Sequence, residues 1–435
     1  SALCLGIVMS FSNAAWPKRY TMMCLLLAAL LLCYIDRVLI SIAGIQMQRE
    51  LGWSDSDKGM VFSVFFLGYL CMQMLGGILA NRFGGRNVFL LAVLGWSMLT
   101  ILTPTAAYAG FALLLVARFL LGFGEGAAYP SAYSLIYAWM PPGEVSRSVS
   151  MITAAAAVGT VFALLVVGKL IELWGWPSVF YIFGGLGVVW CLFWYLLVPS
   201  TPESPTESSH ESVPGPARKG PVPWKQLLPR GKVLPLYAVF IVFGVISFTI
   251  ASWLPSYFVD TFSLSLTAAG AYSMVPWIVN AVVTVVAGVV ADRWITNGVD
   301  CLLVRKRMVA LGFAGAALGC LLIALSPSAL SAVLAVSLAF GALGFAVPGF
   351  APVAGELFPR HGEILYGFLG AISSIFASVV VALTGIALDK TGSYALIFML
   401  LSGLSLLAIF IFQFFGSVTP VLPEDRAPSH DYSGT

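Results

Sequence analysis

Ile397 to Phe412 reads IFMLLSGLSLLAIFIF, inside a stretch from Tyr394 to Gly416 that holds no charged residue. About 20 mainly apolar residues of helix cross a hydrocarbon layer roughly 30 Å thick, and this stretch is long enough. Leu25 to Leu32, LLLAALLL, is the core of a second such run. A barrel strand would alternate apolar and polar residues over about ten positions; these runs are continuous, so a barrel is excluded. Of 435 residues, 60% are apolar and only 9% charged, against roughly 25% charged in a soluble domain. Most of the surface must therefore meet lipid, and the chain reads as an all-α polytopic membrane protein.

Apolar runs bounded by Gly, Pro and charges predict twelve spans: 20–44, 59–80, 87–106, 109–137, 148–168, 177–198, 233–258, 267–291, 308–325, 329–354, 364–387 and 394–416. They fall into two six-helix halves, 20–198 and 233–416. Residues 1–19 form an N-terminal end, 199–232 a cytoplasmic linker and 417–435 a cytoplasmic tail. The linker is rich in Pro, Ser, Glu and Lys, too polar to bury a core of its own. Ala2 to Met9 is apolar but too short to span, and lacks a basic leader or a small-residue cleavage site.

Basic residues set the orientation. Sixteen lie in segments on the side of the termini, while Arg49, Lys58, Lys169 and Lys390 lie on the other. Both termini are thus expected in the cytoplasm, and the lean loops suit a bacterial inner membrane. A net charge of +3 gives no reason to expect nucleic acid. The seven cysteines are odd in number, sit mostly in apolar runs and lack metal-ligand spacing. They read as small core residues, and no metal or cofactor is expected.

The halves echo one another. Gly77-Ile78-Leu79-Ala80-Asn81-Arg82 ends the second span and Gly288-Val289-Val290-Ala291-Asp292-Arg293 the eighth, 211 residues later. Gly122-Phe123 precedes Pro130 as Gly344-Phe345 precedes Pro352. Many secondary transporters are built from such repeats, with the site at their interface.

Against that apolar background four charges stand out within spans: Asp36, Arg37, Arg118 and Glu125. A charge at the centre of a span costs roughly 2.5–3.5 kcal/mol before pairing, so each needs a compensating role. Two buried salt bridges that only fix helix positions are one account. Geometry suggests another. Arg118 and Glu125 are seven residues apart, on one helix face but roughly 10 Å apart along the axis, too far for an easy direct pair. Asp36 and Arg37 point about 100° apart, toward different partners. With both acids ionised the cluster is neutral; with both protonated it carries two positive charges. Burial and a neighbouring arginine pull a carboxyl's proton affinity in opposite directions, so such acids can load and release protons. An anion then binds better when they are protonated, and each ligand favours the other by the same factor.

Other polar residues in spans are Tyr69 and Gln73, four apart and on one face, and Asn280, Ser373 and Ser374 in the second half. Ligand contact and helix–helix hydrogen bonding both account for them. Tyr129, Trp253, Tyr257, Trp277 and Tyr366 line a cavity, anchor at the interface or pack in the core.

Gly77 to Arg86 resembles the loop motif between spans two and three of the major facilitator superfamily. Phe66-Leu67-Gly68-Tyr69 through Gln73, Arg118 through Gly124-Glu125-Gly126 and Tyr129-Pro130, Trp139 with Pro141-Pro142, and Trp253-Leu254-Pro255 are similar to its anion:cation symporter branch. The resemblance covers residues 20–416 and implies alternating access between the two halves. It implies that Arg37 binds a substrate carboxylate, that Asp36 and Glu125 carry protons, and that Arg118 balances Glu125 or helps hold the anion. Gly77, Asn81, Arg82, Arg86, Asp292 and Arg293 would form the gating motif. Asn81 stands where the motif usually has an acid, while Asp292 keeps the acid in the second half.

The expected function is proton-coupled symport of a small organic anion, a carboxylate such as a sugar acid, by a monomer in the lipid bilayer. Two competitors remain. The Asp36-Arg37 pair with Glu125 also resembles the lipid-transporting spinster family, and a non-transporting anion sensor is a different class. An enzyme is not expected, because no His lies in a span and no catalytic pair stands out.

Overall fold

The computed structural model describes residues 17–199, 228, 231–359 and 361–422, apart from the side chains of Met74, Gly77, Asn81, Pro142, Ser146 and Glu363. Most of the N-terminal end, the linker and the tail lie outside the described residues. The described residues form twelve long helices in two six-helix halves. The first half holds α1 (Lys18–Leu51), α2 (Asp55–Phe83), α3 (Gly85–Ala109), α4 (Phe111–Trp139), α5 (Pro142–Trp174) and α6 (Trp176–Leu197). The second holds α7 (Leu234–Phe262), α8 (Leu266–Thr296), α9 (Cys301–Ala324), α10 (Ala329–Leu357), α11 (Gly362–Thr391) and α12 (Ala395–Phe415). Eleven of them are long and apolar enough to cross a membrane; α2, uncharged from Gly59 to Ala80, makes the twelfth. Large apolar side chains such as Val285 and Phe414 are 69% and 70% exposed, an arrangement that only lipid makes favourable.

Helix ends follow local chemistry. Gly52 stops α1 with φ 69°, a left-handed conformation that glycine adopts without a Cβ penalty. Ser54 opens α2 with a capping box, its hydroxyl accepting from the Asp57 amide while the Asp57 carboxylate accepts from the Ser54 amide. Asp300 caps α9 by accepting from the Leu303 amide at 2.9 Å. That cap starts α9 seven residues before the apolar run suggests, so Arg305, Lys306 and Arg307 are helical and not loop residues. Arg305 is buried, its guanidinium held by Glu356 Oε1 at 2.7 Å and the Pro348 carbonyl at 2.8 Å. Lys58, assigned by sequence to an outer segment, is likewise wholly buried, beside Gln48 at 2.7 Å and Asp55 at 3.1 Å. Pairing offsets the cost of both burials, which a count of apolar residues does not see.

The fourth span of each half breaks at the echoed positions. In α4 the helix is interrupted at Ala127, where Pro130 removes an amide donor, and in α10 at Ala351, beside Pro352. Upstream of the first break Gly122 lets α4 cross α2 at contact distance: a Cβ there would lie 2.0 Å from the Phe65 carbonyl oxygen. Gly122→Ala is therefore expected to cost about 1–3 kcal/mol through overpacking, seen as a lower melting temperature in detergent. An unchanged melting temperature would mean that the two helices do not need this approach.

Between the halves, α2 packs on α11, α5 on α8 and α1 on α7. The hydrogen bonds seen between the halves gather at the end where α2 begins, here the Asp55 end. Asp389 of α11 meets Asp55 and Ser56, and Glu172 of α5 meets Thr267. Toward the opposite, Arg82 end, Tyr137 and Tyr366 are largely exposed.

Candidate functional site

The four span charges meet where α1, α2, α3 and α4 come together. Arg37 on α1 donates from Nε to Glu125 Oε2 on α4 at 2.7 Å, with Glu125 wholly buried and the Arg37 side chain 17% exposed. The guanidinium lies over the rings of Tyr69 at 4.4 Å and Tyr34 at 4.7 Å, close enough for cation–π attraction. Cys33, one turn before Arg37, places its thiol 3.3 Å from the same Oε2. The other oxygen, Oε1, is buried with no hydrogen-bond partner. Asp36 turns toward α3, where the Thr100 hydroxyl donates to Oδ2 at 3.3 Å and Oδ1 has no partner.

Arg118 stands apart. It is 2% exposed, its Nε has no hydrogen-bond partner, and among the described residues no carboxylate lies within 4 Å of it. It makes no direct bond to Glu125, which the distance along α4 separates from it and which bonds Arg37; the charge of Arg118 reaches Glu125 and Asp36 through space. The Arg118 guanidinium instead lies 5.0 Å from the Phe65 ring centre. Both arginines face one small cavity, lined also by Ser41, Phe62 and Phe65 and, from the second half, by Ser252.

All four charges come from α1 and α4. The positions in α10 that echo Arg118 and Glu125 are Phe340 and Val347, and Ser252 brings a hydroxyl from the second half to the cavity.

The remaining polar residues divide. Tyr69 stands in the cluster, and Gln73 follows one turn later on α2, half-buried. Asn280, Ser373 and Ser374 do not join it. Asn280 Nδ2 donates to the Phe340 carbonyl at 2.6 Å, Ser373 to the Phe240 carbonyl at 2.7 Å and Ser374 to the Gly370 carbonyl at 2.9 Å. These bonds tie helices together or return to the residue's own helix, in line with the helix–helix account of them. Tyr129 donates to the Tyr34 hydroxyl at 3.2 Å and so braces the ring under Arg37. Trp253 packs on Phe62 at 5.4 Å and under the Lys58 ammonium at 4.9 Å.

Of the gating residues, Gly77 and Asn81 lie outside the described side chains. Arg86 donates to the Val198 carbonyl at 2.7 Å and the Tyr195 carbonyl at 3.2 Å, satisfying the free carbonyls at the end of α6. Arg82, Asp292 and Arg293 are exposed. Sequence analysis missed Cys33, Tyr34, Phe65 and Thr100. The four-residue spacing of Cys33 and Arg37 places them on one face of α1 and was the available signal for the first.

Residues 25–304 match the family model described as Major Facilitator Superfamily. The chain is 35% identical over 417 residues to a probable chloroplastic anion transporter of Oryza sativa subsp. japonica, covering 94% of this chain and 70% of that protein. It is 33% identical over 417 residues to the chloroplastic ascorbate transporter of Arabidopsis thaliana, covering 94% and 76%. A sodium-dependent phosphate transport protein of the same plant is 34% identical, covering 92% and 80%. Among solved structures, a D-xylose–proton symporter matches with TM-score 0.74 at 16% identity, covering 92% of this chain and 98% of that one. A bacterial homologue of the human lysosomal transporter Spinster, inward-facing and occupied, matches with TM-score 0.72 at 19% identity, covering 92% and 96%. The plant relatives are chloroplastic, so the bacterial inner membrane expected from the lean loops finds no support among them. An integral membrane protein with this fold, whose relatives are named as transporters and not as enzymes, belongs to the Major Facilitator Superfamily and groups there with the anion transporters.

Proposed function

We propose that this protein is a proton-coupled symporter of a small organic anion, a carboxylate of the sugar-acid kind, working by alternating access. The observation that carries this reading is the Arg37–Glu125 pair at 2.7 Å beside a cavity that also holds the unpaired Arg118. An ionised Glu125 occupies the guanidinium that a substrate carboxylate would need and repels that carboxylate. Protonation of Glu125 removes the negative charge that competes for Arg37, so anion and proton favour each other's binding, reciprocally and by one factor. Arg118, already desolvated and with no carboxylate within 4 Å among the described residues, supplies a second positive group, and Asp36 a second proton position. Tyr69 holds the Arg37 plane where both partners reach it.

The named ascorbate transporter among the relatives supports a sugar-acid cargo; the named sodium-dependent phosphate protein puts phosphate and sodium into the test. The excess of Lys and Arg supports a cytoplasmic side for the Arg82 end and both termini. One chain holds the whole charge cluster, which supports a monomer as the working unit. Uptake into proteoliposomes, with inward proton or sodium gradients imposed separately, tests the proposal over sugar acids, other carboxylates, phosphate and lysolipids. Proton-driven uptake of a carboxylate is expected. Uptake driven only by sodium, or confined to lysolipids, overturns it.

Cys33 gives a finer test. Its S–H is a weak donor to the Glu125 carboxylate. Cys33→Ala removes that bond and is expected to move the pH of half-maximal uptake up by about half a unit; Cys33→Ser, a stronger donor, moves it down by a similar amount. Two variants that shift the profile in the same direction would show that the thiol only fills space.

A further inference from the structure

The Asp55 end carries a pair of contacts that the transport site does not use. The Asp389 carboxylate of α11 accepts from the amides of Asp55 and Ser56, both at 2.9 Å, and from the Ser56 hydroxyl. The Glu172 carboxylate of α5 accepts from the Thr267 amide at 2.9 Å and the Thr267 hydroxyl at 2.6 Å. Each contact joins one half to the other, and in each a carboxylate near a helix C-terminus meets the unpaired first-turn amides of a helix beginning in the opposite half. In both receiving helices a serine N-cap, Ser54 or Ser265, already accepts from the third amide, leaving the second for the visiting carboxylate.

The two contacts are copies of one device. Ser54 and Ser56 in α2 stand 211 residues before Ser265 and Thr267 in α8, the offset of the Gly77 and Gly288 echo. Glu172 lies three residues before Gly175, which ends α5, and Asp389 three before Gly392, which ends α11. One turn earlier, Gly168 and Gly385 allow the approach: a Cβ would lie 2.5 Å from the Leu266 carbonyl oxygen at the first and 2.2 Å from that of Asp55 at the second. Repetition in both halves, with the same glycine, carboxylate and hydroxyl at matching places, is not needed for capping alone, since a local side chain would serve.

We propose that Glu172 and Asp389 are the gate residues of the Asp55 end, a two-fold-related pair of latches that hold this end shut while the Arg82 end is open, and that both must release before the halves can rock the other way. A carboxylate at a helix N-terminus gains from charge-assisted hydrogen bonds and from the helix dipole together. The device is self-matching: each half gives one carboxylate and receives one.

Hydrogen–deuterium exchange on the intact, unlabelled protein in lipid nanodiscs tests this. Glu172→Gln and Asp389→Asn are each expected to raise exchange about tenfold in the first turn of α8 or α2, as expected for loss of one charge-assisted bond. They should also slow exchange at the Arg82 end as that end closes. The double variant should multiply the two effects. Thr267→Val and Ser56→Ala, which remove only the hydroxyl side of each latch, should move exchange the same way by a smaller factor, and carry the test if the double variant fails to fold. Faster exchange confined to the first turns, with no change at the Arg82 end, would reduce both carboxylates to helix caps and overturn the proposal. The readout involves no substrate or proton gradient, so its outcome is independent of the symport proposal.

Discussion

Arg37→Ala is expected to bring uptake down to the level of empty liposomes and, taken alone, to lower stability. The two effects have different causes and can be separated. Arg37 is the partner of a wholly buried carboxylate, and removing one member of a buried pair typically costs about 3–5 kcal/mol because the other charge is stranded. Glu125 would retain only the Cys33 thiol. The double variant Arg37→Ala/Glu125→Gln leaves no stranded charge, so its melting temperature should return most of the way to the parent value while uptake stays at background. Melting in detergent and uptake in proteoliposomes, measured on the same three preparations, resolve the roles. Normal uptake by either variant would remove Arg37 from the substrate path. Loss of uptake repaired by the double variant would make the pair a structural bridge only.

Glu125→Gln should leave the protein able to exchange one anion molecule for another across the membrane but unable to use a pH gradient. The amide keeps an oxygen for the Arg37 Nε–H and carries no charge, which imitates the protonated carboxyl permanently. Exchange of labelled for unlabelled anion requires binding and rocking, not net proton movement, so it should persist and lose its pH dependence. Accumulation should collapse: one pH unit driving a one-proton symporter is worth 1.36 kcal/mol, about a tenfold concentration ratio, and the variant should show none. Gradient-driven accumulation at the parent level would move the coupling proton elsewhere, with Asp36 the next candidate because its Oδ1 is buried and unpartnered.

The fold was legible because lipid imposes a simple rule, long apolar helices with few exceptions, and all twelve spans obey it. The exceptions showed which residues matter but not how they pair. Arg37 and Glu125 are 88 positions apart, and what brings them together is helix packing, in which α4 lies against α2 at Gly122 and Phe65. Helix ends were least legible where charges are buried in pairs: Arg305 looked like a loop residue because its partner Glu356 comes from α10, and Lys58 because packing adds Gln48 of α1 and the Trp253 ring of α7 to its near neighbour Asp55. Asn280, Ser373 and Ser374 were selected by polarity alone, and in a membrane a polar side chain satisfied by a backbone carbonyl has the same sequence signature as one that meets a ligand.

The placement of all four site charges on α1 and α4 has an evolutionary consequence. If the two halves descend from one duplicated ancestor, only one copy holds the ionic pair, with Phe340 and Val347 standing at the sister positions. On the proposed mechanism a division of labour follows: the wall built by the second half carries none of the four site charges, so mutation can reshape it without disturbing them. Under that proposal, lineages of such proteins diversify their cargo by drift in α7–α12 while inheriting the charged half unchanged.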